Sequence, residues 1–458
     1  MAGGALSGGA PPATLLSATI PATGDFPMAT HALPMFPAKA FALTEHRNLR
    51  ITTLFLLYFA QGLPFGFIEF AMLAWLAQNG VSAAAIGSVL ATLALPWTFK
   101  LAYGFVMDRY AFLHMGRRRP WIIIGQLGLV AAFAAMAIAD PSPTQIGLIA
   151  SLAFFIGLSS ATQDVAVDGL AVDILPEDEI EKANGYMFGG QALGMAAGGG
   201  VGGFLIAYYG LAAAAATLAS LVAAILILVI ALRERPGERL LPWTTGQASQ
   251  RNLDIHLGAF MPIIRNLFRE MFTRQTLILM PALIAVCGAT GIFLGLAPLF
   301  SANILDWEKS TYSGWASTAS LVAGLAAMIL FGHAASWLGA RRSFILCAIA
   351  TAAIALAMLA LQSAWSSAAV FIGSIFAFKA MFVLRGVTGG ALAMRLCAPA
   401  VAATQFAVFM AIANLGRAMG SASLGWLDGL GGIPAMFTAM AVCGVVAAAF
   451  ATAAKVGR

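Results

Sequence analysis

Seven ionisable side chains fall inside long apolar runs of this sequence: Glu69, Lys100, Asp164, Asp168, Lys379, Arg385 and Arg417. A charge near the middle of a bilayer costs at least about 2.5 kcal/mol on insertion scales, so each such residue is a functional candidate that needs a partner or a watered path. Asp164 and Asp168 are one helical turn apart and share a face, with Gln163 beside them. Two carboxylates that close in a low dielectric do not readily both ionise, so one of them is expected to hold a proton near neutral pH, as proton coupling requires. Lys100, at similar depth in its own run, is the expected counter-ion of Asp164. The alternative is a neutralised pair that only fixes helix packing. Lys379, Arg385 and Arg417 make the second half of the chain cationic inside, where Glu69, Asp164 and Asp168 make the first half acidic. A guanidinium fork suits a solute carboxylate or phosphate, gating and snorkelling being the bland readings. The stretch from Gln61 to Pro64 interrupts the first run and frees a carbonyl that could meet solute, or simply kinks the helix.

These residues must be carried by elements suited to lipid. The 458 residues are 60% hydrophobic and 10% charged, and the mean hydropathy is +0.88, far from a soluble domain. About 20 apolar residues cross a bilayer core. Twelve such runs are present, near 51–76, 83–107, 120–140, 145–171, 184–208, 210–232, 276–301, 311–335, 343–361, 365–392, 402–427 and 433–454. The alternating short strands of a membrane barrel are absent, so the fold class is an all-α membrane protein with twelve transmembrane helices. Gly190, Gly194, Gly198 and Gly202 form a ridge at spacing four on the fifth run, which lets a neighbour approach closely.

Residues 1–44, rich in Ala, Pro and Gly, read as a disordered extension without the pattern of a cleaved signal peptide. Residues 45–232 and 275–458 then form two six-helix bundles, joined over 233–274 by a polar linker. In that linker Leu257, Phe260, Met261, Ile264, Leu267, Phe268 and Met271 recur at helical spacing between charges, which predicts an interfacial helix in contact with membrane lipid. With the N-terminus inside, 20 of the 25 Lys and Arg residues are cytoplasmic and only Lys309 is outside. The net charge of +6 is therefore topological, not a nucleic-acid surface, and both termini are expected in the cytoplasm.

The second run ends in Gly104, Asp108 and Arg109, followed by Gly116 and Arg117 to Arg119; the eighth ends in Gly332 and Ser336, followed by Gly339, Arg341 and Arg342. The first copy resembles the loop motif of the major facilitator superfamily. That resemblance implies two bundles about a central site, and a latch formed by Gly104, Asp108, Arg109, Arg117 and Arg118. Ser336 replaces the acid in the second copy, so the latch is expected to be charged in one half only. Gly62 to Pro64, Phe99-Lys100, Met107 to Tyr110, Asp173 to Pro176, Ala403 to Ala407 and Gly416-Arg417 resemble the muropeptide permeases within the peptide and acetyl-CoA transporter group. The run from Ala161 to Gly169 resembles the acetyl-CoA transporters as well, and Cys287-Gly288 departs from the Lys and Asp that muropeptide permeases carry in helix seven.

The resemblance implies a monomeric secondary transporter of the bacterial inner membrane. It would couple protons, through Asp164, Asp168, Lys100 and Glu69, to import of an anionic solute. Gln61, Gln163, Lys379, Arg385 and Arg417 are the expected solute contacts, with a muropeptide as first choice and acetyl-CoA or a siderophore as rivals. No cofactor or metal is expected: His31, His46, His114, His256 and His333 are scattered without ligand spacing, and the four cysteines lack pair spacing. No nucleophile motif suggests an enzyme, and no repeated filter loop suggests a channel.

Overall fold

A computed structural model of the chain describes residues 41–454 except 80, 82–84, 86–87, 90–91, 94 and 308. The described residues are almost wholly helical, and their one bridge outside helices joins Ala42 to Arg233. That bridge lies within the stretch expected to be disordered: the Arg233 N–H donates to Phe41 and the Leu43 N–H to Arg233, both at 2.9 Å, so residues 41–44 are held in place. Residues 1–40 lie outside the described residues.

Among the described residues, ten helices are long and apolar enough to cross a membrane. The spans in the first half are α1 (Arg47–Met72), α3 (Arg119–Ala139), α4 (Ile146–Ile174) and α5 (Ile180–Ala231), with the shorter α2 (Lys100–Arg109) between α1 and α3. After the linker helix α6 (Phe260–Met271) come α7 (Arg274–Asn303), α8 (Gly314–Leu338), α9 (Ala340–Ala360), α10 (Ala368–Leu396), α11 (Ala402–Ala422) and α12 (Leu424–Ala453). The 52-residue α5 breaks at Gly210, whose φ of 86° only glycine adopts readily, and so supplies two crossings. The remaining expected crossing, near 83–107, runs partly over undescribed residues, and α2 is its described end. The described residues thus supply eleven crossings, consistent with twelve helices in all. Pro64 does not interrupt α1: the helix continues through it into a π-helical turn, Phe67–Met72, and on as α-helix through Gln78. The break between the last two runs falls at Gly431 and Gly432, inside α12.

Bilayer lipid offers no hydrophobic force between helices, so close packing must hold them. The α5 ridge does this against α1. A Cβ on Gly198 would lie 2.9 Å from the Phe67 nitrogen, one on Gly190 would lie 2.6 Å from the Phe55 carbonyl oxygen, and Gly194 abuts the Phe59 carbonyl. Gly416 and Gly420 of α11 repeat the arrangement against α7.

The halves meet along α2 with α11, α5 with α8 and α10, and α4 with α11, while α6 packs on both α2 and α11. Leu57, Val165, Met187, Leu283, Phe344 and Phe406 belong to one apolar core shared by both halves, at the end of the bundle where Arg117, Arg118, Arg341 and Arg395 gather. At the other end the core divides: Phe67, Phe133 and Ile156 pack within the first half, and Phe293, Phe300 and Phe437 within the second. The molecule is closed at its basic end.

Replacing Gly194 by leucine should force α1 from α5 and cost on the order of 1–3 kcal/mol. Gly200, with nothing within 4 Å of an added Cβ, is the control. In thermal unfolding of detergent-purified protein, Gly194→Leu is expected to melt several degrees lower and Gly200→Ala to match the wild type.

Candidate functional site

The level at which the shared core divides is also where the buried charges sit. From α4, Asp164 forms an ion pair with Lys100 at the start of α2 and accepts a hydrogen bond from the Gln61 amide of α1. One turn on, Asp168 accepts from the Tyr58 hydroxyl, also on α1. Gln163 donates to the Leu57 carbonyl at 2.8 Å. All six side chains are buried, Lys100 to 7% and Asp164 to 4% of full exposure, and Lys100 also lies 4.8 Å from the Trp97 ring centroid. The expected group of Gln61, Lys100, Gln163, Asp164 and Asp168 is thus one network. Tyr58 was missed by sequence reasoning, which weighed only charges, though its spacing of three from Gln61 puts both on one face of α1.

This network has two acids and one base, and the Oε1 atoms of Gln61 and Gln163 are buried without a hydrogen-bond partner among the described residues. A lysine bonded to one carboxylate leaves the second supported by a hydroxyl alone. One exchangeable proton shared over Asp164, Asp168 and Lys100 is what such a set can hold.

The cationic candidates do not form one site. Arg385 of α10 donates to the Cys287 thiol of α7 at 2.9 Å, and its Nε lacks a partner. Cys287, in the helix-seven position where the sequence departs from the muropeptide permeases, therefore positions a guanidinium. Lys379, two turns away on α10, is half-buried and no ion pair is seen for it among the described residues. Arg417 of α11 is exposed and acts electrostatically on Glu69 in the π-helical turn of α1, across the two halves. Glu69 and Arg417 stand apart from the acid network and from Arg385.

The basic end is closed by a second network. Asp108, wholly buried, accepts from Arg118 at 2.6 Å and, across the halves, from the Thr404 backbone N–H at 2.9 Å and hydroxyl at 2.7 Å. It thus meets the N-terminus of α11, where negative charge is favoured. Asp173 holds Arg117 at 3.3 Å and Arg118 at 3.0 Å, and Arg117 donates to the Pro399 carbonyl at 2.7 Å. Gly104 makes the approach possible, since a Cβ there would lie 2.7 Å from Thr404 Cα. Glu234 accepts from the backbone N–H groups of Arg117, Arg118 and Arg119 at 2.9, 2.6 and 2.5 Å, capping α3. One expectation is not met. Arg109 is not in this network: its guanidinium lies 5.0 Å from the Tyr110 ring and 5.9 Å from that of Phe260, pinning α6. The motif copy with Ser336 makes no ion pair among the described residues, and the charge on that seam comes from elsewhere: Arg395 of α10 pairs with Glu181 of α5 at 2.8 Å and donates to the Glu177 carbonyl at 2.8 Å. Arg119 bonds the carbonyl of Val229, and Arg341 that of Ala451, which sets equivalent positions 222 residues apart. Arg395 is then the counterpart of Asp173, an inversion of sign that a search for repeated acids passes over.

The family model "Major Facilitator Superfamily" matches residues 54–421. The chain belongs to that superfamily. It is 26% identical over 391 residues to the Anhydromuropeptide permease of Escherichia coli K12, covering 82% of this chain and 74% of the relative. It is also 26% identical over 160 residues to Putative transporter AmpG 1 of Rickettsia prowazekii, covering 34% of this chain and 36% of that one. Among solved structures, the proton:xylose symporter XylE aligns with a TM-score of 0.65 at 14% identity over 88% of this chain and 96% of its own. FucP in the outward conformation gives 0.65 at 14% over 89% and 98%. These likenesses fix the fold. As a superfamily member the protein is a multi-pass transporter of small solutes.

Removing one partner of a buried ion pair strands the other charge, so Lys100→Met alone should cost about 3–5 kcal/mol, and most of that should return in Lys100→Met/Asp164→Leu. Thermal unfolding of the two single variants and the double variant measures the coupling. A further check concerns the linker. Glu238 is pushed up to about 8 by burial and by the neighbouring Glu234 carboxylate. An acid raised in the folded state contributes stability that is fully present below its unfolded value and lost as pH rises through about 8. The melting temperature should therefore fall between about pH 5 and pH 9, and less steeply in Glu238→Gln.

Proposed function

We propose that this transporter is a proton symporter that imports an anionic solute, a muropeptide in the first instance, through a bacterial inner membrane. The observation that carries the reading is the buried network of Lys100, Asp164, Asp168, Tyr58 and Gln61 at the level where the shared core divides in two. An acid-rich network with one base can be loaded and unloaded by a single proton, and its place at the foot of the divided end puts it within reach of water from that side. Arg385, at the same level on α10 with a free Nε, would take a solute carboxylate, and Lys379 two turns further toward the divided end would assist. The name of the Escherichia coli relative supports a muropeptide as that solute.

The positive-inside rule makes the basic end cytoplasmic, with both termini there. The closed basic end then corresponds to an outward-facing arrangement. Import proceeds when proton and solute together favour breaking the cytoplasmic ties of Asp108 to Thr404 and Arg395 to Glu181. Glu69 and Arg417 lie toward the outer opening and would act as a gate between halves.

Proteoliposome uptake of labelled GlcNAc-anhydroMurNAc-peptide, with and without an inward proton gradient, tests the reading, labelled acetyl-CoA serving as the competing solute. Gradient-stimulated muropeptide uptake is expected. Asp164→Asn and Asp168→Asn should abolish accumulation while leaving solute exchange in place; accumulation that stays pH-dependent in both would rule out this coupling site. Arg385→Gln should weaken uptake of the acidic peptide by about tenfold or more while sparing a neutral analogue, the worth of a charge-assisted hydrogen bond. Uptake of acetyl-CoA alone would move the solute assignment to that class.

A further inference from the structure

Beside the seam that Arg395 and Glu181 close, and apart from the acid network of α1, α2 and α4, a crevice of about 360 Å³ is enclosed by α1, α5 and α8. Its wall is graded along the membrane normal. At the basic end it presents Arg47, Lys182 and His333, one from each helix, and deeper in it presents Ile51, Phe55 and Met328. Arg47 to Phe55 is eight residues of helix, about 12 Å, which spans most of one leaflet of a hydrocarbon core about 30 Å thick. Arg47 is half exposed and only loosely engaged by Glu179, at 3.5 Å, because Arg50 takes that carboxylate at 2.6 Å. His333 is exposed beside the Tyr186 ring, and no ion pair is seen for Lys182 among the described residues.

We infer that this crevice is a binding site for an anionic phospholipid of the cytoplasmic leaflet. Its phosphate would lie among Arg47, Lys182 and His333, and an acyl chain along Ile51, Phe55 and Met328. Three cationic or protonatable groups without a matching number of acids call for an anion, and an apolar wall directly below them excludes a soluble one. The position gives the lipid a consequence. α1 and α5 belong to one half and α8 to the other, and Gly185 lies so close to Gly332 that a Cβ would come within 2.8 Å of its Cα. A lipid seated across this seam binds the closed arrangement and so favours the outward-facing state, while the seam between α2 and α11 relies on Asp108 instead. The leaflet assignment rests on the orientation proposed above; binding itself is measured without solute, so failure here leaves the transport reading intact.

The test is native mass spectrometry of the full-length protein with phosphatidylglycerol or phosphatidylcholine added, using Lys182→Gln for the headgroup, Ile51→Trp to fill the acyl groove, and Arg342→Gln as a basic residue of the same end outside the crevice. Phosphatidylglycerol should bind in preference, and Lys182→Gln should weaken it about fivefold, the effect of one basic residue near an anionic headgroup. Ile51→Trp should weaken it as well, and Arg342→Gln should leave it unchanged. With two variants acting on different parts of the lipid, misfolding of one leaves the other decisive. Equal binding of both lipids, equal loss in the Arg342 control, or displacement of the lipid by inorganic phosphate would each overturn the proposal.

Discussion

A charge inside a bilayer has no water to fall back on, and every other feature of this chain answers to that constraint. Lys100 and Asp164 can be buried only because each satisfies the other and Gln61 completes the set. Asp108 can be buried only because it is surrounded by Arg118 and the N-terminus of α11. The same requirement determines where the helices approach. Gly104 lets α2 close on α11 so that the carboxylate reaches Thr404, and the α5 ridge lets α1 come near enough to hold Tyr58 and Gln61 against α4.

The two halves share a plan but not a chemistry. Taking Asp173 and Arg395 as equivalents, Asp164 and Asp168 correspond to Gly386 and Gly390 of α10, and Gln163 corresponds to Arg385. Where the first half buries two acids, the second has glycines that admit Phe188 and Asn184 of α5. One half therefore keeps the proton-bearing groups and the other offers a guanidinium beside a surface of small residues. The basic end shows the same division: on one seam an acid reaches across to a helix terminus, and on the other an arginine reaches across to Glu181.

Much of this was legible in the sequence because lipid imposes coarse rules. Run length gave the crossings, spacing of four gave the glycine ridge, and rarity of charge pointed to Lys100, Asp164 and Asp168. What the sequence could not show was partnership between distant segments. Tyr58 looks like an ordinary aromatic until Asp168 is found beside it, and Arg109 looks like its neighbours in the motif until Tyr110 and Phe260 are seen to claim it. Glu234 illustrates the point from the other side. Nothing in a polar linker marks one glutamate as the cap of a helix more than a hundred positions earlier, since the spacing that matters is spatial.

The π-helical turns of α1 and α8 carry a further implication. Such a turn holds one residue more than its α-helical neighbours and behaves as a dislocation in an otherwise regular lattice. Sliding the dislocation past Glu69 would swivel that carboxylate by roughly 100° about the axis while both ends of α1 stayed where they are. A helix clamped along its length by the glycines of α5 has little room to tilt, but it can still re-aim one side chain in this way, as a key turns inside a fixed barrel.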